Sequence, residues 1–368
     1  MSKVIGIDLG TTFSAIASLD DLGNPEVLAS IEDNRKITAS AVYLKDNEVI
    51  VGDKALNYLK DQSNNVILQT KREMENDVVY STDEGKWVTD KDLVDAYTPA
   101  QVSSLILKKL KEYTSDVKKV VITVPAMFAE KARQATLDAA KIADLEVIEL
   151  INEPTAAVLH YASLPGVEVG GRVMIFDLGG GTFDVTFAEV KNKKVDVMTS
   201  RGDKYLGGRD FDKEITKLMK KKYFDVHNVE IDIENNKEYI HKAEEVKKIL
   251  SVKDKANIEI TGPKGPQKIE ITQEEFEESI QTYIEKIKML IEEAMEASGM
   301  NPSRINQTLL VGGSTRMPII TKVLTQMMGK PPVKGVNVDE AVVCGAAIYA
   351  GLKTEKETLS DQQQEALK

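Results

Sequence analysis

Two segments of this chain set an aspartate, a glycine turn and threonines in the same order: Ile7-Asp8-Leu9-Gly10-Thr11-Thr12-Phe13 near the start and Phe176-Asp177-Leu178-Gly179-Gly180-Gly181-Thr182-Phe183 near the middle. A glycine turn between two strands can aim several backbone N–H groups at one phosphate, because glycine tolerates positive φ and puts no Cβ in the anion's path. Threonine hydroxyls add donors, and an aspartate ending the entering strand can hold Mg²⁺ through water. One such hairpin is an ordinary turn. Two matched copies, separated by enough chain for a full α/β unit, imply a duplicated domain whose lobes face one nucleotide, with Asp8 and Asp177 clamping one metal. A third glycine site, Gly312-Gly313-Ser314-Thr315-Arg316, lies where a strand meets a helix and suits an adenosine or ribose, with Arg316 available to stack on a base.

Other chemistries lack their residues. There is no Gly-x-x-x-x-Gly-Lys-Ser/Thr loop, and Gly179-Gly180-Gly181 has neither the spacing nor the following helix of a dinucleotide fingerprint. No serine stands in a Gly-x-Ser-x-Gly elbow, and His160, His227 and His241 show no metal-ligand spacing. The single cysteine, Cys344, excludes a disulfide framework and reads as a small buried hydrophobe in a helix. A net charge of −11 without a Lys/Arg stripe repels nucleic acid. The N-terminus enters an apolar strand directly, and no stretch is long enough to span a bilayer, so a cytoplasmic address and no membrane partner are expected.

The elements that must carry the hairpins are α/β. At 368 residues, with 42% hydrophobic and 29% charged side chains, the chain has core material for two or three soluble domains. Short strands are expected from Val4 to Val27 and from Ala39 to Val51, followed by a helix with Thr98 as N-cap and Pro99 at its first position. The run Val120–Val124 reads as a buried strand, and Ala129 to Ala143 and Pro154 to Ala162 as helices. The double glycine Gly170-Gly171 marks the lobe boundary: lobe I over 1–170 with a small insertion at about 37–97, and lobe II over 171–353 with an insertion at about 209–288. Within that insertion Thr272 and Glu275 form a capping-box pair opening a helix that can run to Ser298. A final helix is expected from Asp339 to Leu352. Its small residues match those of Glu153-Pro154-Thr155-Ala156-Ala157, and two such helices could cross closely as a hinge. Residues 354–368 read as a polar tail.

Taken together these motifs resemble the ATPase domain of the DnaK-type chaperones, the 70-kilodalton heat-shock family, which shares a duplicated actin-like, ribonuclease H-like fold with actin and the sugar kinases. The resemblance covers residues 3 to 352. Besides the three glycine sites it rests on Val121-Ile122-Thr123-Val124-Pro125-Ala126, Ile151-Asn152-Glu153-Pro154-Thr155-Ala156-Ala157 and Leu206-Gly207-Gly208. It implies a stress-response ATPase that binds ATP or ADP with Mg²⁺ and K⁺, hydrolyses ATP slowly and turns its lobes. Asp8 and Asp177 would hold hydrated Mg²⁺ and orient the attacking water. Thr11, Thr12 and Thr182, with the N–H groups of Gly10, Phe13, Gly179, Gly180 and Gly181, would bind the β- and γ-phosphates. Lys71 would reach the γ-phosphate. Glu153 and Asp184 would stand near metal, water and potassium, and Pro125 with Arg133 would sense the γ-phosphate. Glu244, Lys247, Lys248 and Ser251 would bind the adenosine, with Gly312, Gly313, Arg316 and Asp339 closing the pocket, and Gly207, Gly208 and Ser314 would also contact the nucleotide. Read by pattern alone, the helix bearing Glu244 to Ser251 is only a charged, solvated face.

The resemblance also implies a J-domain co-chaperone and a nucleotide exchange factor as partners. The family's apolar linker and peptide-binding domain do not follow Leu352 in this sequence, so client binding by that route is not expected from it. Ala39, Val338 and Arg209 replace residues more typical of the family. A non-catalytic binding module, an actin-like filament and a sugar kinase are the competing readings.

Overall fold

In the computed structural model, which describes residues 5–354 and 362–363 apart from 47, 62, 91, 94–95, 116, 118, 166–169, 192–193 and 235, both Asp-Leu-Gly segments join adjacent strands of a sheet. The first sheet orders its main strands Glu146–Asn152, Lys119–Val124, Ile5–Asp8, Phe13–Leu19 and Pro25–Val27. The second orders Lys194–Asp203, Phe183–Lys191, Gly171–Leu178 and Gln307–Val311. In each, the strand that ends near the aspartate runs antiparallel to its hairpin partner and parallel to the strand on its other side. This repeated local topology is the duplicated actin-like α/β architecture. Residues 120–124 and 173–178 are buried without interruption, as strands covered on both faces require.

Helix ends follow their local chemistry. Thr98 and Gln101 form a reciprocal capping box that starts Pro99–Lys111, and Thr272 with Glu275 forms another. The helix expected from Thr272 to Ser298 is, however, divided into Gln273–Ser279 and Gln281–Ser298. Ile280, wholly buried in the core of the second half, leaves helical geometry at the break. The last helix is Ala341–Lys353, so Asp339 and Glu340 precede it. Cys344 is buried in that helix, and burial pushes its thiol up to about 12. Strands between Ala41 and Tyr97 build two further three-stranded sheets, and an antiparallel hairpin, Lys255–Gly262 with Gly265–Thr272, stands between the helices that follow Gly207. Most of the stretch read as a polar tail lies outside the described residues. Among the described residues no helix is long and apolar enough to cross a membrane.

The helices Glu153–Ser163 and Ala341–Lys353 cross between the two sheets. A Cβ on Gly345 would fall on the Ala156 carbonyl and 2.8 Å from its Cα, so the backbones meet where only glycine fits. Ala156, Ala157, Ala346 and Ala347 share one buried cluster with Val121 of the first sheet and Ile175 and Val311 of the second. Each helix is also tied across. Tyr161 donates to the Leu310 carbonyl at 2.8 Å, and Tyr349 donates to Glu149 Oε1 at 2.9 Å. A thin, small-residue contact held by two polar ties is a suitable pivot for two rigid sheets.

Candidate functional site

The two glycine hairpins meet tip to tip. A Cβ on Gly180 would be 2.8 Å from Thr12 Cβ, and one on Gly181 would be 2.9 Å from Thr11 Cβ. The first hairpin is braced from within: Gly10 N–H donates to Ser14 Oγ at 3.1 Å, and Ser40 Oγ donates to the Gly10 carbonyl at 2.8 Å. The second is backed by two further glycine turns. Gly208 N–H donates to the Gly179 carbonyl at 3.0 Å, Ser314 Oγ donates to the same carbonyl at 2.9 Å, and Gly312, at φ 85°, closes on Leu178. Gly207 abuts Gly180 and Gly181 so closely that a Cβ would be 2.7 Å from the Gly181 nitrogen. Four of the sequence's glycine segments thus converge on one point.

Beneath the tips lies a narrow cleft of about 100 Å³ lined by Asp8, Lys71, Glu153, Asp177 and Thr182. Lys71 stands on a short 3₁₀ turn, Thr70–Glu73, entered through Gln69 at φ 61°, and its Nζ is 2.5 Å from Glu153 Oε1. Glu153 opens the helix Glu153–Ser163, Asp8 accepts from Thr123 Oγ1 at 2.8 Å, and Asp177 stands directly across the hairpin from Asp184. Arg133 donates to the Phe128 carbonyl at 3.0 Å and to Asn152 Oδ1 at 2.6 Å, bracing the residue before Glu153. Pro125 does not reach the cleft itself. It lines a cavity of about 370 Å³ behind it, which also touches Lys71, Thr182 and Asp184.

A second, roomier part of about 600 Å³ opens beside the tips, bounded by Thr12, Phe13, Glu244, Lys248, Ser251 and Arg316. The helix that carries these charges, Lys237–Leu250, is not a solvated face as its pattern suggested, because Glu244 and Lys247 are buried. Lys247 pairs with Asp212 at 2.7 Å and donates to the Gly208 carbonyl at 2.8 Å, so it braces the glycine turn. Lys248 pairs with Glu244 at 3.1 Å and lies over the Phe13 ring at 5.5 Å. Ser251 caps the helix end and donates to the Lys247 carbonyl. Arg316 pairs with Asp339 at 2.6 Å, its guanidinium half exposed at the rim, and Gly313 lies against the same carboxylate.

Two residues that matter here gave no signal in the sequence. Arg72 crosses to the second half, donating to the Gly181 carbonyl at 2.8 Å and pairing with Asp210 at 2.7 Å, while Asp210 in turn accepts from Gly207 N–H. Lys237 reaches across to the small sheets, donating to Ser63 O, Val66 O, Tyr80 Oη and Gly85 O at 2.7 to 3.1 Å. Both are single basic residues among many, and only long-range folding singles them out.

Buried acids dominate the electrostatics of the cleft. Burial, reinforced by Glu153, Asp184 and Asp8, holds the Asp177 carboxyl well above the ordinary range. Burial and the Glu153 charge push Asp184 to about 7, and burial raises Glu153 despite Lys71 beside it. Burial alone would lower Lys71, but Glu153, Asp8 and Asp177 outweigh it and keep the ammonium charged. Asp184 Oδ1 and Thr12 Oγ1 are buried with no hydrogen-bond partner among the described residues. Among those residues no three acidic, histidine or cysteine side chains form a direct metal-ligand set. The donor set therefore suits a dication that keeps its waters and takes one or two carboxylates, as Mg²⁺ does, and not a dehydrated protein cage.

Acids whose folded-state pKa is raised bind more protons folded than unfolded, so their stabilising protons are lost as pH rises from about 4 to about 7. In chelator, the melting temperature is expected to be lower at pH 7.5 than at pH 5 by on the order of 5 °C from this cluster. Mg²⁺ should restore most of it at pH 7.5 and little at pH 5. Equal Mg²⁺ effects at both values would show that these carboxylates do not meet the metal.

The sequence model of the family described as Hsp70 protein matches residues 4–363. Chaperone protein dnaK of Thalassiosira pseudonana is 37% identical over 380 residues, an alignment covering 96% of this chain and 62% of that protein.

Proposed function

The chain belongs to the 70-kilodalton heat-shock protein family, and from that premise we propose that it binds Mg·ATP between its lobes, hydrolyses it slowly and changes lobe angle with nucleotide state. The carrying observation is the tip-to-tip meeting of the two glycine–threonine hairpins directly above a buried cluster of acids and one lysine. Backbone N–H groups and threonine hydroxyls from both sides would hold the phosphate chain. Asp8 and Asp177, with Asp184 beneath, would hold hydrated Mg²⁺, which neutralises the polyphosphate charge. Glu153 and Asp177 would orient the attacking water, and Lys71, released from Glu153, would meet the γ-phosphate. Nothing here requires a covalent intermediate; positioning and charge stabilisation supply the rate.

The adenosine would occupy the roomier part, between Lys248 and Arg316, with Glu244 and Ser251 as its polar contacts. A K⁺ ion beside Glu153 and Asp184 suits the same acidic surplus. Pro125 and Arg133 would report γ-phosphate occupancy through the rear cavity and Asn152. Lobe I over residues 1–170 and lobe II over 171–353 would turn about the crossed helices, with the two insertions closing over the nucleotide.

Because the chain spans 62% of its curated relative's length, the chaperone cycle itself is part of this proposal: a J-domain co-chaperone accelerating turnover, an exchange factor releasing ADP, and a cytoplasmic setting. Single-turnover phosphate release from Mg·ATP tests the core of the reading. Thr182→Ala and Asp177→Asn should each slow it by about tenfold or more while leaving ADP binding within about threefold. Loss of ADP binding in step with the rate would reassign both residues to ground-state binding.

A further inference from the structure

Arg209 stands among carboxylates that other cations already hold. It lies in the first turn of the helix Gly208–His227, and its own N–H donates to the Gly180 carbonyl at 2.8 Å, which fixes it against the second hairpin. Its guanidinium borders the adenosine-sized space and a neighbouring cavity of about 560 Å³ that runs outward past Thr12 and Phe13. Every carboxylate around it is already engaged: Asp210 by Arg72 at 2.7 Å, Asp212 by Lys247 at 2.7 Å and Glu244 by Lys248 at 3.1 Å. Among the described residues Arg209 forms no ion pair. With the Gln69 amide oxygen turned toward it, Arg209 donates to that oxygen from Nη2 at 3.1 Å and from Nε.

The partner is therefore a neutral amide on the opposite half of the molecule, two residues before Lys71. A guanidinium exchanges a neutral acceptor for an anionic one at a net gain, since charge-assisted bonds are about twice as strong. Five N–H donors in a planar fork suit phosphate oxygens in particular. The polyphosphate that those tips would hold would bring an unengaged anion to this border, between Thr12 and Gly180.

We propose that Arg209 leaves Gln69 to grip the phosphate chain of the bound nucleotide, adding a side-chain cation to the backbone cradle of the second hairpin and making affinity depend on phosphate charge. The inference rests on the nucleotide reading of the cleft. Gln69 then serves as the resting partner that keeps the fork aimed while the cleft is empty.

Calorimetric titration of adenosine, AMP, ADP and ATP, each with Mg²⁺, separates the possibilities. Arg209→Ala should weaken ATP and ADP by about tenfold, the scale of one charge-assisted contact, and leave adenosine unchanged. Arg209→Lys should recover part of the loss, and Gln69→Ala should leave ATP binding equal or tighter. The ratio of ATP to adenosine affinity within each variant is independent of how much protein is folded. An equal loss for adenosine and ATP, or no loss for either, would overturn the assignment. If the wild type binds ATP normally and only the charge dependence fails, the inference alone falls; a wild type that binds none of the four removes the nucleotide reading and the inference with it.

Discussion

Lys71→Ala should lower the single-turnover rate of ATP hydrolysis by about 100- to 1000-fold, the loss expected when one preorganised charge is taken from a developing oxyanion. The ammonium is buried, 2.5 Å from Glu153, and held charged by three carboxylates, so a positive charge is kept at the cleft. It lines both the cleft and the cavity behind it. Its partner complicates the variant. Without Lys71, Glu153 would lie buried beside Asp8 with no cation, and an unpaired buried charge costs about 3–5 kcal/mol unless it takes up a proton. Protonated Glu153 could no longer orient water, so part of the rate loss would belong to Glu153. Lys71→Ala combined with Glu153→Gln separates the two: if the double variant is no slower than the single, the residues act as one unit. Retention of wild-type turnover in Lys71→Ala, with ADP binding and melting unchanged, would refute the role.

Gly345→Ala should destabilise the protein by about 3 kcal/mol, the upper end of the cost of overpacking. Helix propensity argues the other way, since alanine in a helix interior is worth about 1 kcal/mol over glycine. The steric term wins because the added Cβ meets backbone, the Ala156 carbonyl and a Cα 2.8 Å away, and neither can rotate out of reach. Relief requires the two hinge helices to move apart, which would loosen a cluster shared by both sheets and strain the ties from Tyr161 and Tyr349. Thermal or urea unfolding measures the loss. A neutral or stabilising result would mean that the helices already separate readily in solution, and that the pivot is looser than this packing indicates.

Much of the fold was legible because it depends on neighbours in sequence. Thr98 with Gln101, and Thr272 with Glu275, cap helices through contacts three residues apart, and Val120–Val124, apolar but for Thr123, is a run whose every residue is buried. The helix break at Ile280 was not legible: no glycine or proline marks it, and burial of that side chain decides it. The charged helix from Lys237 to Leu250 misled for the same reason. Its pattern is that of a wet surface, yet Glu244 and Lys247 are buried, Lys247 against Asp212 and the Gly208 carbonyl and Glu244 against Lys248 of its own helix.

By itself the sequence determined the chemistry: paired aspartates, glycine turns that admit an anion, threonine donors, and two helices small enough to cross. Those properties belong to residue types and short spacings. The tertiary structure alone decided which basic residues matter and what each one faces. Lys71 meets Glu153, Arg72 meets Asp210, Lys237 enters a cage of oxygens and Arg209 donates to the Gln69 amide, each across a separation that no local pattern spans. A buried charge is tolerable only where folding delivers its counter-group, so the identity of those groups is a property of the folded cleft.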